Sequence, residues 1–112
     1  MACYVTDPSA LKIRHDIGIE IIAWECDYPH SDSIFPNAPE FVLAEMKPAE
    51  VSDDEINMIT WKNTCRFFGW DPFIRIPADQ ATVASLRALA TDVDTAVRPK
   101  SEWRALYERR TA

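Results

Sequence analysis

The sequence predicts an α/β fold in which two parallel strands near the N-terminus are followed by helices. Three observations carry that expectation. Two apolar runs, at residues 2–6 and 19–24, are separated by a short segment that could form a crossover. The second run leads straight into Glu25-Cys26-Asp27-Tyr28-Pro29-His30-Ser31-Asp32-Ser33, a polar and aromatic turn that precedes a helical pattern. Residues 52–69 then carry a complete set of helix start and stop signals.

Ala2 to Thr6 brings Cys, Tyr and Val together and reads as a short strand. Asp7-Pro8-Ser9 is a turn that can also start a helix. In Ala10 to Ile17 the residues Leu11, Ile13, His15 and Ile17 fit period 2 as well as a helix, so the pattern leaves this crossover open. Gly18 ends it, and Ile19 to Trp24 is expected as the second strand. Pro29, Pro36 and Pro39 then fall in a loop rich in Ser, Asp and Asn, suited to a rigid turn.

Glu40 to Met46 predicts a short helix anchored by Phe41, Val42 and Leu43. The clearest helix runs from Ser52 to Gly69. Ser52 and Glu55 have the spacing of a capping box, in which each side chain satisfies a backbone N–H at the helix start. Asp53 and Asp54 place negative charge at the positive end of the dipole, and Gly69 supplies the stop. Ile56, Ile59, Asn63 and Phe67 share one face, and Met58, Trp61, Cys65 and Phe68 share another, which suits a helix between two layers. Residues 70–77 read as an extended linker. Thr82 to Val93 predicts a helix with Val83, Leu86, Ala90 and Val93 in one stripe, and Ser101 to Arg110 a last helix with Trp103, Leu106 and Tyr107.

Composition bounds the function. With 112 residues the chain has room for one compact domain, and 47% hydrophobic residues can supply a core. A net charge of −6 argues against nucleic acid and anionic membranes as partners, and the basic pair Arg109-Arg110 is short. Cys3, Cys26 and Cys65 are an odd count without C-x-x-C spacing, so three reduced thiols are expected rather than a disulfide framework or a structural zinc. No signal peptide is expected from the N-terminal pattern, no run approaches the ~20 residues of a membrane span, and a cytoplasmic location is the expectation.

The candidate site lies at the end of the second strand. Asp27 is either a metal ligand and general base or an Asp that caps its turn through backbone N–H groups. His30, just beyond it, either touches substrate or is a loop histidine bonded to a carbonyl. Glu25 alternates with Asp27, so both can face one side of the strand. Ser31 and Asp32 fit turn formers or outer partners of the site, Trp24 and Tyr28 fit packing around it, and His15 fits a structural role. Asn63, polar on an apolar helix face, is expected to bond a backbone group near the site loop.

Three segments together resemble a known family. The run IIAWECDYPHSDSIFPNAPE resembles the last barrel strand and following loop of metal-dependent amidohydrolases, in the branch of the aminocarboxymuconate-semialdehyde decarboxylase relatives. The upstream CYVTDPSALKIRHDIGIE is similar to that branch's seventh strand and crossover. The downstream SDDEINMITWKNTCRFFGWDPF is similar to its C-terminal helix, with Asn63, Arg66 and Phe67 at the matching positions. The likeness covers roughly residues 2–90.

The resemblance implies that the chain is a C-terminal fragment of a (β/α)8 barrel, comprising the last two strands plus C-terminal helices. Residues 1–77 would be the barrel part and 78–112 a helical extension. It implies a divalent metal, zinc first, at the C-terminal strand ends, where a metal lowers the pKa of bound water to ~7. In this reading Asp27 is the catalytic residue and metal ligand, His30 binds a small organic acid, and the reaction is hydrolysis or non-oxidative decarboxylation. The chain departs from the family in having no His-x-His, and its two histidines are His15 and His30. A catalytic zinc takes three protein ligands, so this chain is expected to bind no metal and to be inactive alone. The rival expectation is a non-enzymatic remnant or interaction module that self-associates or pairs with an upstream barrel fragment.

Overall fold

Gly18 decides where the second strand begins. It adopts φ +96°, and a Cβ there would meet the Glu20 carboxylate at 3.1 Å. From this point the chain makes a 3-10 turn, Ile19–Ile21, closed by the Ile21 N–H donating to the Gly18 carbonyl at 3.1 Å. The strand therefore covers Ile22–Trp24 rather than the whole run from Ile19. The three residues before the strand, Ile19-Glu20-Ile21, look the same in sequence whether they extend or turn, and the glycine supplies the difference.

The computed structural model describes residues 1–30, 32–94 and 99–111, the last helix by its backbone alone at positions 100, 103, 107, 110 and 111. Ser31 and the expected anchors Trp103 and Tyr107 thus lie outside the described residues or side chains. The order is β1 (Ala2–Tyr4), α1 (Pro8–Lys12), α2 (Arg14–Ile17), the 3-10 turn, β2 (Ile22–Trp24), α3 (Ala38–Met46), α4 (Asp53–Asn57), a π turn (Met58–Lys62), α5 (Asn63–Phe68), α6 (Val83–Leu89) and α7 (Lys100–Thr111). The crossover that periodicity left open is helical. Asp7 caps α1, its Oδ1 accepting from the N–H groups of Ser9 and Ala10 at 3.1 and 2.9 Å.

β1 and β2 are parallel, with Ala2, Cys3 and Tyr4 opposite Ile22, Ala23 and Trp24. The ladder runs one step further, because the Glu25 N–H donates to the Tyr4 carbonyl at 3.0 Å. Ile22 and Trp24 share the face that packs on the helices. There they join Leu11 from α1, Val42 and Met46 from α3, Val51, and Ile59 from the π turn. Val42 and Met46 are one helical repeat apart and present a single stripe. Each such side chain contributes roughly 1.5–3 kcal/mol when fully buried.

The long helix starts and stops as its signals require. The capping box is complete: Ser52 Oγ accepts from the Glu55 N–H at 3.3 Å, and Glu55 Oε2 accepts from the Ser52 N–H at 2.8 Å. Gly69 ends it at φ +61°, with the Trp70 N–H returning to the Cys65 carbonyl at 2.9 Å. Its two expected apolar faces are buried only in part. Ile59 and Asn63 are inside, but Phe67 and Phe68 stand 63% and 65% exposed and pack edge-to-face on one another. The apolar stripe expected from Val83 to Val93 is likewise exposed at Val83, Leu86 and Val93, and α6 stops at Leu89. A helical stripe needs a facing layer, and for these residues none is supplied by the described part of the chain.

Candidate functional site

The parallel pair delivers its second strand directly into Asp27. Trp24 fixes the strand end from the side, its indole N–H donating to the Val5 carbonyl at 2.9 Å. Three residues later Asp27 sits in the left-handed region at φ +57° and opens a turn. Asp is among the few non-glycine residues that visit this region, since its short polar side chain can bond locally. The turn closes with the His30 N–H donating to the Asp27 carbonyl at 2.9 Å, across a cis Tyr28–Pro29 peptide.

Beyond the turn the loop folds on itself. The Ile34 N–H donates to the Cys26 carbonyl at 3.2 Å, the Ser33 N–H to the His30 carbonyl at 3.1 Å and the Asn37 N–H to the Ile34 carbonyl at 2.8 Å. Ser33 Oγ accepts from the Phe35 N–H at 3.2 Å. Tyr28 and Phe35 pack with ring centroids 4.9 Å apart, so the loop carries an aromatic pair of its own. Tyr28 is exposed and Trp24 is half-buried, so of the two aromatics flanking the site only Trp24 packs into the core.

Inside this loop the structure brings Asp27 and His30 together. His30 Nδ1 lies 2.7 Å from Asp27 Oδ1. An ionised carboxylate can only accept, so Nδ1 carries the proton of this bond and Nε2 is left facing outward. The Asp27 side chain is 27% exposed and the imidazole 72% exposed. The His30 pKa is raised, first by the hydrogen bond to Asp27 and then by that carboxylate's charge, with weaker attraction from Asp32 and Glu25. The histidine is therefore bonded to a carboxylate rather than to a carbonyl. Glu25 and Asp32 are both exposed and form no hydrogen bond to either member of the pair among those described.

His15 stands apart from this loop, with Nε2 3.0 Å from Glu55 Oε1. Asn63 does bond backbone, but at the start of β2 rather than in the loop. Its amide donates to the carbonyls of Ile19 and Ile22, each at 2.8 Å. Two arginines brace this region in a way the sequence did not show: Arg66, matched there only as part of the family pattern, and Arg87, which no pattern marked. Arg66 Nη2 donates to the Glu20 carbonyl at 2.5 Å and to Asn63 Oδ1 at 3.3 Å. Arg87 of α6 donates to both Glu40 oxygens at 2.6 and 2.9 Å and to the Pro36 carbonyl at 3.4 Å, just beyond the loop. Their partners lie 46 and 47 positions away in sequence, beyond the reach of any local pattern.

The residues present do not by themselves fit a catalytic metal. Among the described residues no group of three His, Cys, Asp or Glu side chains is placed to hold one. Asp27 offers one carboxylate oxygen beyond the one bonded to His30, and a catalytic zinc takes three protein ligands. A separate cavity of about 350 Å³ lies between the 70–82 segment and α6, lined by Arg75, Ile76, Gln80, Ser85, Ala88 and Leu89, and shares no residue with the Asp27 loop. Among the described residues no helix is long and apolar enough to cross a membrane. No protein-family model matches the chain, and a comparison with curated proteins likewise finds no match.

Proposed function

We propose that this chain is the C-terminal segment of a metal-dependent amidohydrolase-like enzyme, contributing the final two strands of a (β/α)8 barrel and one acidic ligand to its centre. The reaction class is hydrolysis or non-oxidative decarboxylation of a small organic acid. The observation that carries the reading is Asp27. It is a partly exposed carboxylate held at the C-terminal end of the second of two parallel strands, the position where α/β barrels keep their reacting groups. Its second oxygen has no hydrogen bond among those described, so it is free to meet a ligand. His30 supports the same reading as the substrate-binding residue, because its ring faces outward beside that oxygen's carboxylate and favours the charged form that pairs with an organic acid. The remaining metal ligands, zinc being the first choice of metal, would come from strands outside this chain.

Cobalt(II), whose visible absorption reports its ligands, tests the proposal. The chain alone is expected to bind cobalt weakly and to turn over nothing. Co-expression with the first six βα units of an amidohydrolase-related barrel is expected to give a tetrahedral cobalt spectrum that Asp27→Asn abolishes. Metal-dependent turnover by the 112 residues alone, or a joint spectrum indifferent to Asp27→Asn, would sink it.

A second reading, a non-enzymatic interaction module, has its own observation. Phe67, Phe68, Trp70 and Ile74 are all more than half exposed within eight residues of chain, and large apolar groups gathered on a surface mark contact sites. Size-exclusion chromatography separates the two situations from a self-sufficient fold: a cooperative, concentration-independent monomer counts against both.

A further inference from the structure

We infer that Asn63 is a positioning residue of the Asp27 site, acting through the 3-10 turn that leads into β2. The inference rests on the proposed role of Asp27 for its purpose, though not for its geometry. Asn63 is the one buried polar residue among those described, 2% exposed in an otherwise apolar core. Both protons of its amide are used, one on the Ile19 carbonyl and one on the Ile22 carbonyl, each at 2.8 Å. These two carbonyls bracket the 3-10 turn, so the amide fixes the residue at which turn becomes strand.

The edge on which it acts matters. The Glu25 N–H points to β1, and N–H and C=O groups alternate between the two edges of a strand, so the Ile22 carbonyl points to the edge of β2 that β1 does not cover. Without Asn63 that carbonyl is an unpaired group on a short strand. Asp27 lies five positions after Ile22, at ~3.3 Å per residue where the chain is extended. A slip of one residue at Ile22 would turn every later side chain to the opposite face and move Asp27 off the strand mouth. Arg66 holds the amide in place, because its Nη2 spans Asn63 Oδ1 and the Glu20 carbonyl and leaves the amide protons aimed at β2.

The test reads the Asp27–His30 bond in the intact chain, with no metal or substrate. Long-range 1H–15N spectra recorded where the imidazole is neutral report which ring nitrogen carries the proton. The wild-type ring is expected to show the Nδ1–H form that the bond to Asp27 requires. Asn63→Leu, close in shape but without donors, is expected to return His30 to a mixture rich in Nε2–H. Arg66→Gln, at an exposed position that tolerates change, is expected to move it part of the way. Val51→Ala is the control: it removes volume from the core that β2 packs on and lowers stability while leaving the hydrogen bonds to the Ile19 and Ile22 carbonyls in place, and is expected to leave the His30 tautomer as it is. Should Asn63→Leu fail to fold, Arg66→Gln against Val51→Ala decides. The inference is overturned if the wild-type ring is already the Nε2–H form, or if the Asn63 and Arg66 variants leave it no different from the control. Such a result would leave the metal reading standing, just as a failed cobalt experiment would leave this one standing.

Discussion

Arg14 grips both carboxylate oxygens of Glu55, Nε to Oε1 at 3.0 Å and Nη2 to Oε2 at 3.2 Å, and so ties the crossover helices to the start of the long helix. The same guanidinium donates to the carbonyls of Leu11, Ala49 and Glu50. Glu55 is held down to about 2, first by the hydrogen bond from Arg14 and then by the Ser52 N–H. A carboxylate depressed in the folded state contributes stability that is complete above its ordinary value and is lost as pH falls through the depressed one. Urea midpoints are therefore expected to fall between about pH 4.5 and about pH 2, and Glu55→Gln is expected to flatten that part of the profile. Arg14→Met, which leaves the carboxylate without its fork, is expected to cost about 2–3 kcal/mol at neutral pH. An acid limb of unchanged slope in Glu55→Gln would count against the fork.

At Asp27 backbone and side chain can be separated by substitution. Its φ of +57° is open to glycine and tolerated by asparagine, whereas alanine pays about 1 kcal/mol or more for the left-handed region. Asp27→Gly and Asp27→Asn are thus expected to be more stable than Asp27→Ala by about that amount in chemical denaturation. Asp27→Asn isolates the charge. With the carboxylate gone, the His30 titration followed by NMR is expected to drop back toward the ordinary imidazole range. Equal stability of all three variants would argue for an unstrained turn.

Arg87 reaches from α6 to Glu40 at the head of α3 and to the Pro36 carbonyl at the exit of the site loop. The apolar residues Val83, Leu86 and Leu89 on α6 are exposed, so this fork is the chief tie described between that helix and the loop. Arg87→Ala is expected to speed amide hydrogen exchange across residues 83–89 while the urea midpoint of the core stays where it was. Unchanged exchange in α6 would show that packing, rather than the fork, holds it.

Tyr4 offers a stabilising change. Its hydroxyl is buried with no hydrogen-bond partner among the described residues, and its pKa is raised chiefly by burial, then by Glu45 and Asp7. Removing an unsatisfied buried hydroxyl while keeping the ring relieves a desolvation cost. Tyr4→Phe is expected to raise stability by roughly 1 kcal/mol in urea denaturation. A loss of stability would reveal a partner for the hydroxyl.

What could be read from the sequence divides by range. The Ser52–Glu55 box and the Gly69 stop act over three to five residues, and both were legible because their partners are neighbours in the chain. The juxtaposition of Asp27 and His30 was legible for the same reason, although the bond between them was not, since nothing local says which way an imidazole turns. The start of β2 was misplaced because an apolar run has no mark for a 3-10 turn except the glycine before it. The burial expected of Phe67, Phe68 and the α6 stripe did not appear, because periodicity declares that a face is apolar and not that anything covers it. Arg14, Arg66 and Arg87 were invisible as organisers, because each acts on a segment at least 35 residues away.

The π turn at Met58–Lys62 couples the two ends of the long helix. A π turn holds one residue more than an α turn, and an α-helix rotates by about 100° per residue. Deleting any one of these five residues would let the segment relax into an unbroken α-helix. Asn63 would then swing by about a quarter-turn away from Ile22 if Ser52 and Glu55 kept their grip at the other end. The surplus residue works as a phase corrector: it lets one rod be docked at its head by Arg14 and at its middle by a strand, two anchor points whose azimuths a regular helix cannot satisfy together.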